Sequence, residues 1–210
     1  MFDKSNYIQK LAYVILAIVL LVMAFNAFQI SQIKGMKNAN AKPSQMTGNL
    51  PTLEYNMIPK GIPRIYGAEL GVSYDDVSVL DQKKVDAAIK KLGMLDQQIK
   101  LNGAEKERYI AIASQMSCEY CCDVDSIIFK NGEPACGCQH SFAMRGVAKY
   151  LLKNHGSEFT DEQVLEELSK WKTLFFPYQM SKKAAVLKAK GIDPSYINAA
   201  SNKYRGIENL

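Results

Sequence analysis

The chain has 210 residues and a formal net charge of +5, with 48% hydrophobic and 22% charged residues. This balance is typical of a folded protein and excludes an intrinsically disordered one, and the length allows one ordinary domain. The small positive surplus is spread along the sequence, so it gives no indication of nucleic-acid binding.

The N-terminal region contains a long, largely apolar segment. Residues 11–30 carry no charged side chain, and they follow a short tail, residues 1–10, that contains Lys4 and Lys10. A helix of this length is long enough to cross about 30 Å of hydrocarbon. A secretory signal peptide is the competing interpretation, but no convincing small-residue cleavage site follows the segment. We therefore predict a retained transmembrane anchor at residues 11–30.

The location of the remaining chain follows from that anchor. Lysines lie on both sides of the span, so the positive-inside rule does not decide its orientation. The short tail is typical of an uncleaved signal anchor, and we predict a cell-membrane protein whose C-terminal part is extracytoplasmic. Residues 31–66 are rich in proline and polar residues and show no regular periodicity, which indicates a stalk or arm. The helical domain is predicted to follow over residues 67–210.

Two helices are predicted before the first cysteine. An apolar residue recurs every three or four positions between residues 80 and 101, which predicts one amphipathic helix that ends at Asn102-Gly103. Residues 104–116 predict a second helix, although the alternation of Ile110 and Ile112 leaves a strand open.

All the cysteines lie close together in the sequence. The five are Cys118, Cys121, Cys122, Cys136 and Cys138. Tetrahedral sites for soft metals take two ligands from one tight turn and two from a second. Cys118 with Cys121, and Cys136 with Cys138, have the spacing of two such pairs. His140 could add a nitrogen ligand, and Cys122 could replace Cys121, contribute to a multinuclear site or have no role.

The connection between the two pairs predicts a β-hairpin. Residues 127–129 favour a strand, Asn131-Gly132 favours a type I′ turn, and Pro134 favours a short or edge return strand. A helix is then predicted over about residues 142–151, with Gly156 as its end. This order defines a Cys-rich module, residues 117–156, that resembles a treble-clef or ribbon-like metal site. The last ligands would lie at a helix N-terminus, where the helix dipole favours thiolate.

Three more helices are predicted after the module. Thr160-Asp-Glu-Gln163 has the pattern of a capping box, and Pro177 separates the helix that follows from the next one. A short helix between Ser181 and Gly191 and a last helix capped near Asp193-Pro194 complete the chain. The predicted fold class is mainly α: a transmembrane helix, then a small helical bundle with one Cys-rich hairpin.

The sequence offers no enzyme site that we can identify. The two histidines do not form part of a hydrolytic pattern, and no phosphate-binding glycine loop is present. We therefore name no catalytic residue, and the thiols are the remaining chemical feature. Disulfides are the alternative to metal ligation in an oxidising exterior, although five thiols leave one over.

The donor set limits the choice of metal. Zn²⁺ is favoured for a site of four thiolates with or without histidine. Cu(I) is the alternative, because Met116, Met144 and Met180 are soft donors close in sequence to the module or its packing helices, although methionines are more often core residues. An iron–sulfur cluster is disfavoured.

Residues 105–180 resemble the PCYCGC-motif proteins, a family of bacterial extracytoplasmic lipoproteins. The likeness lies in a helix that leads into Ser-Cys-Glu-Tyr-Cys-Cys, an Ala-Cys-Gly-Cys segment that opens a second helix, an acidic amphipathic helix, and Pro177-x-x-Met180. The Pro-Cys-Tyr-Cys-Gly-Cys string itself is absent, and a membrane span replaces the lipid anchor. The resemblance implies an exported, surface-held domain with a metal site and implies no reaction.

Three functions are compatible with these features. The first is a membrane-anchored protein that holds or transfers a thiophilic ion. The second is a thiol–disulfide oxidoreductase that uses Cys118-Glu-Tyr-Cys121, since this spacing is that of redox dithiols. The third is an interaction domain in which a structural metal stabilises the fold and a helical surface binds an unidentified protein partner.

Overall fold

Helices account for the regular secondary structure of the described chain. The computed structural model describes residues 57–77, 81–122 and 124–209, together with Leu16, Leu21 and Met23. The predicted tail, nearly all of the anchor at residues 11–30 and most of the stalk lie outside these residues. Within the described part, no helix combines the length and the hydrophobicity needed to cross a bilayer. The anchor and the extracytoplasmic location therefore stay predictions.

Seven α-helices and three short 3-10 helices are found in the described residues. The α-helices are α1 (Gly67–Leu70), α2 (Gln82–Gln98), α3 (Gly103–Ala113), α4 (Gln139–Asn154), α5 (Asp161–Phe175), α6 (Pro177–Ala189) and α7 (Tyr196–Ala200). The 3-10 helices are Tyr74–Asp76, Asn202–Tyr204 and Ile207–Asn209.

The two helices that precede the cysteines form as helices, so the strand alternative for residues 104–116 is wrong. The boundary between them differs from the prediction. The first helix, α2, ends at Gln98, and Asn102 begins α3 by forming a capping box with Glu105. Asn102-Gly103 is thus a start signal and not a stop signal, because the Glu105 side chain accepts from the Asn102 N–H over 3.3 Å at the start of the new helix.

The C-terminal helices also differ from the prediction at their starts. The capping box of Thr160 and Gln163 forms as predicted at the start of α5. Pro177, however, is the first residue of α6, so this helix begins before Ser181. Proline is favoured there because the first helical N–H has no partner within the helix. The cap of α7 is Ser195, whose side chain accepts from the Asn198 N–H, and not Asp193.

A close crossing of α2 and α4 fixes the position of the second cysteine segment. A Cβ atom on Gly146 of α4 would lie 2.0 Å from the carbonyl oxygen of Leu92 in α2. The two backbones therefore touch at a point where only glycine fits. Because Cys138 immediately precedes α4, this crossing places it against the rest of the bundle.

The hydrophobic core runs through α2 to α6. Fully buried members are Leu92, Ile112, Val147, Leu168 and Trp171. The compact unit that contains them spans Leu53–Leu210. Burial of these side chains contributes about 1.5–3 kcal/mol each and is the main stabilising term of the bundle.

Residues 57–66, which the sequence predicts as part of a stalk or arm, pack on the helical bundle. Tyr66 is 1% exposed. Its hydroxyl donates to Glu167 Oε2 over 2.7 Å and accepts from Trp171 Nε1 over 2.7 Å. Tyr74 donates to the same carboxylate oxygen. Tyr66, at the end of this segment, and Tyr74, which follows it, therefore attach the chain to α5 by buried hydrogen bonds.

The predicted β-hairpin forms only as a turn with a few cross-turn backbone bonds and no regular strands in the described residues. Gly132 has a φ of 86°, and its N–H donates to the Phe129 carbonyl over 2.9 Å. A single isolated antiparallel bridge joins Ile128 and Pro134, and no strand is present in the described residues. Two backbone bonds cross the turn, from the Phe129 N–H to the Glu133 carbonyl over 2.8 Å and from the Ala135 N–H to the Ile127 carbonyl over 3.1 Å. Pro134 has no N–H to donate, which keeps the pairing short.

Candidate metal centre

Three cysteines and one histidine meet between two segments of the chain. Cys118 and Cys121 lie in the connection that follows α3, Cys138 is the N-cap residue of α4, and His140 lies in the first turn of that helix. Their donor atoms, three Sγ and one imidazole nitrogen, all lie within 4.8 Å of one another. The Cys-x-x-Cys turn and the start of a helix thus supply two donors each.

The distances fit a tetrahedral site after a small expansion. Cys138 Sγ lies 3.2 Å from Cys118 Sγ and 3.4 Å from Cys121 Sγ, and Cys121 Sγ lies 3.5 Å from His140 Nδ1. Cys118 and Cys121 are closest, at 2.7 Å. In a tetrahedron with Zn–S bonds of about 2.3 Å the sulfurs are about 3.8 Å apart, so the largest adjustment among the three sulfurs is about 1 Å. The donors present therefore fit a single ion.

The centre is buried on one side and open on the other. Cys118 is fully buried and Cys121 is exposed, while Cys138 and His140 are half-buried. The ring of His140 packs against Phe175 and Phe176, with centroid distances of 5.1 and 4.8 Å. An ion held here would thus be reachable through Cys121 and shielded by aromatic rings at His140.

The remaining two cysteines are joined to each other. Cys122 and Cys136 form a disulfide, with their Cα atoms 6.5 Å apart. While this bond exists, neither sulfur is a thiolate ligand. The predicted second pair, Cys136 with Cys138, is therefore replaced in this state by Cys138 with His140. A second group of neighbouring sulfurs nevertheless exists, because those of Cys122, Cys136 and Cys138 also lie within 4.8 Å of one another.

The electrostatics of the cluster favour one thiolate between two thiols. Hydrogen bonds, first from Cys118 and then from His140 and Ser141, lower the pKa of Cys138 to about 3. The Ser141 N–H donates to Cys138 Sγ over 3.3 Å at the N-terminus of α4. The same contact with Cys138, together with burial, raises the pKa of Cys118, and burial raises the pKa of Cys121. Binding of a metal ion would therefore release protons from these two thiols.

Comparison of the chain with protein-family models, with curated proteins and with solved structures finds no match. The resemblance to the PCYCGC-motif proteins therefore stays a prediction, and the site itself carries the functional argument.

Glu119, which the sequence did not single out, anchors the Cys-x-x-Cys turn. Its φ of 49° is the only positive value among the described non-glycine residues. Its carboxylate lies 3.0 Å from Lys172 Nζ and 2.7 Å from Lys183 Nζ, and it accepts from the Gly206 N–H over 2.9 Å. Burial opposes ionisation, but Lys172 and Lys183 outweigh it and hold the pKa of Glu119 below its usual value. The turn is thus tied to α5, α6 and the C-terminal segment.

The C-terminal segment holds the cysteine loop at both ends. The Asn202 N–H donates to the Gln115 carbonyl over 3.1 Å, and its side-chain amide donates to the Asp125 carbonyl over 2.8 Å. Arg205 Nη1 donates to the Val124 carbonyl over 2.9 Å. These bonds constrain the residues that precede and follow the loop carrying the first three cysteines.

Arg145 holds the second cysteine segment from inside the bundle. Its side chain is fully buried, with Nε 2.7 Å from Asp96 Oδ2. Nη1 donates to the carbonyl oxygens of Ile127, over 3.1 Å, and Cys136, over 2.9 Å. A charged residue on the buried face of α4 is the sequence signal that could have identified it, because a buried guanidinium needs partners nearby.

The other soft or titratable side chains considered as ligands lie elsewhere. His155 contacts Glu69 and Glu158, at 3.0 and 2.7 Å, and is not part of the cluster. The three methionines Met116, Met144 and Met180 are fully buried in the hydrophobic core.

Proposed function

We propose that this chain binds a thiophilic metal ion, Zn²⁺ or Cu(I), and holds it or passes it to an acceptor. The ligands are Cys118, Cys121, Cys138 and His140. The observation that supports the proposal is the convergence of their four donor atoms within 4.8 Å. The Cys118–Cys121 turn and the start of α4 could each pack on the bundle without their four donor atoms meeting, so this convergence is an independent feature of the fold.

The chemistry of the donors selects the class of ion. Thiolate and imidazole are the ligands of structural and transport sites for Zn²⁺, and thiolates also suit Cu(I). The group contains no carboxylate, so it does not suit Mg²⁺ or Ca²⁺, which require oxygen ligands.

Exposure of Cys121 supports transfer as well as storage. An acceptor thiolate can approach the ion on the side where Cys121 is exposed, while Cys118 on the opposite side is buried. Exchange would then proceed one ligand at a time from the exposed side. If residues 11–30 form the predicted anchor, this exchange takes place close to the membrane.

The direct test is the metal content of the full-length chain, purified in detergent without oxygen and then titrated with Zn²⁺. We expect about one equivalent per chain. Cys138→Ser should weaken binding by more than about 100-fold, since loss of a residue that only supports a ligand already costs 10–100-fold. His140→Gln should weaken it too, while His155→Gln, a matched change outside the cluster, should leave it unaltered. Less than about half an equivalent after titration would contradict the proposal.

The geometry also favours a second candidate, a thiol–disulfide oxidoreductase. Cys118 Sγ and Cys121 Sγ are 2.7 Å apart, so the two thiols are placed to form a disulfide with small movements. In such a reaction they would lose two electrons and two protons to the disulfide of a partner, which would be reduced to two thiols. Alkylation followed by mass spectrometry, with and without a mild oxidant, distinguishes the two functions. Two interconverting forms of Cys118 and Cys121 would support the redox function, and an unchanged thiol count would exclude it.

A further inference from the structure

Cys138 belongs to two groups of donor atoms. A site for a single ion requires only one of these groups. The Sγ of Cys138 lies within 4.8 Å of the donor atoms of Cys118, Cys121 and His140, and equally of those of Cys122 and Cys136. The chain therefore has a second set of three sulfurs, and this set shares one atom, Cys138 Sγ, with the first set.

The Cys122–Cys136 disulfide makes the second set unavailable in the state described above. A dithiol reductant can change this. Attack of its thiolate on one sulfur forms a mixed disulfide, and its second thiol then closes a cyclic disulfide on the reductant. The chain gains two electrons and two protons and now carries thiols at Cys122 and Cys136.

We propose that this disulfide sets the metal capacity of the chain: one ion when Cys122 and Cys136 are joined, and two when they are reduced, with the Cys138 thiolate bridging both. This inference rests on the proposed function, because the first ion occupies the site described above. The second ion would have only three sulfur ligands, from Cys122, Cys136 and Cys138. Three thiolates without a fourth ligand suit Cu(I) better than Zn²⁺, which prefers four.

The two segments are held in place by contacts other than the disulfide. The Cys136 carbonyl accepts from the buried Arg145 over 2.9 Å. On the other side, the Val124 carbonyl, close to Cys122, accepts from Arg205 over 2.9 Å. Because these bonds fix the backbone on both sides, reduction should leave the two thiols close enough to share an ion.

The position of Cys138 suits a bridging ligand. It is the N-cap residue of α4, and its Sγ accepts from the Ser141 N–H over 3.3 Å. The Ser141 hydroxyl lies 3.3 Å from the same sulfur. A helix N-terminus stabilises negative charge on the sulfur without occupying all of its lone pairs.

The experiment is an anaerobic Cu(I) titration of the full-length chain against a chromophoric Cu(I) chelator. One sample keeps the disulfide, with ascorbate present to maintain Cu(I). The other is reduced with a dithiol, which is then removed. We expect about one equivalent of Cu(I) in the first sample and about two in the second. X-ray absorption should show a Cu–Cu vector only in the reduced, fully loaded sample.

Matched variants separate the two sites. Cys122→Ser removes the disulfide and one ligand of the second set, so it should bind about one equivalent in both conditions. Cys138→Ser removes the shared atom and should weaken both sites. Wild-type protein with the same capacity in both states overturns the redox-controlled second site and leaves the proposed function standing. Absence of Cu(I) and Zn²⁺ binding in the disulfide-intact sample overturns the proposed function itself.

Discussion

Replacing Arg145 by Met is expected to lower the free energy of unfolding by about 3–5 kcal/mol, a large share of the stability of one domain. The guanidinium is fully buried and lies 2.7 Å from Asp96 Oδ2. Methionine fills a similar volume, but it leaves the buried carboxylate with Lys149 as its remaining ion-pair partner. The carbonyl oxygens of Ile127 and Cys136 also lose the hydrogen bonds they accept from Arg145.

Urea unfolding followed by circular dichroism measures this effect. Lys153→Met is the matched control on the same helix, because Lys153 is 40% exposed in its pair with Glu105. Loss of an exposed pair costs less than about 1 kcal/mol. Equal and small losses in the two variants would show that Arg145 does not hold the second cysteine segment.

Glu119→Gln is expected to cost about 3–5 kcal/mol of stability and to weaken metal binding by about 10–100-fold. The side chains of Lys172 and Lys183 are both 0% exposed, and each forms an ion pair with this carboxylate. Glutamine keeps the shape but removes the negative charge, so two buried ammonium groups then face each other with less compensation. Because Glu119 lies between Cys118 and Cys121, its displacement would also move both ligands.

The metal affinity and the free energy of unfolding are measured separately, by competition with a zinc chelator and by urea unfolding. Glu107→Gln, at an exposed position of α3, is the control for the change of charge and should leave both unaltered. Loss of stability without loss of affinity would show that Glu119 supports the bundle only and does not position the ligands.

The stability loss of Glu119→Gln should decrease as the pH rises toward 10.5, the usual pKa of a lysine. Burial lowers the pKa of Lys172 below its ordinary value of 10.5, and Glu119 opposes that shift. Without the carboxylate, the pKa of Lys172 in the folded state falls further. At a pH between the folded-state pKa of Lys172 and 10.5, Lys172 is protonated more often in the unfolded chain than in the folded chain, so the free energy of unfolding rises with pH. A loss that stays constant over this range would contradict the role of uncompensated charge.

The sequence predicts the main helices because a helix that packs on the core needs an apolar residue every three or four positions, and this spacing is visible in the sequence. The stripe that includes Leu92 in α2 and the capping box of Thr160 and Gln163 both depend on neighbours within one turn. Local signals also contain ambiguities that only the fold resolves. Asn102-Gly103 can end one helix or begin the next, and the capping box with Glu105 decides in favour of the second.

The parts of the site that the sequence does not predict depend on contacts between distant residues. Pairing of Cys122 with Cys136 cannot be deduced from spacing, because five thiols allow several combinations. Lys172 and Lys183 have the pattern of solvated helix residues, and their burial depends on partners distant in the sequence, above all Glu119, which pairs with both. The hairpin is limited by a local feature instead: Pro134 has no N–H to donate, and only a single bridge joins Ile128 and Pro134.

The most direct test of the metal site is X-ray absorption at the zinc edge of full-length, disulfide-intact protein loaded with Zn²⁺. We expect a first shell of about three sulfurs at about 2.3 Å and about one nitrogen at about 2.0–2.1 Å. These are the donors of Cys118, Cys121, Cys138 and His140. A first shell made of oxygen and nitrogen, without sulfur, would contradict the assignment.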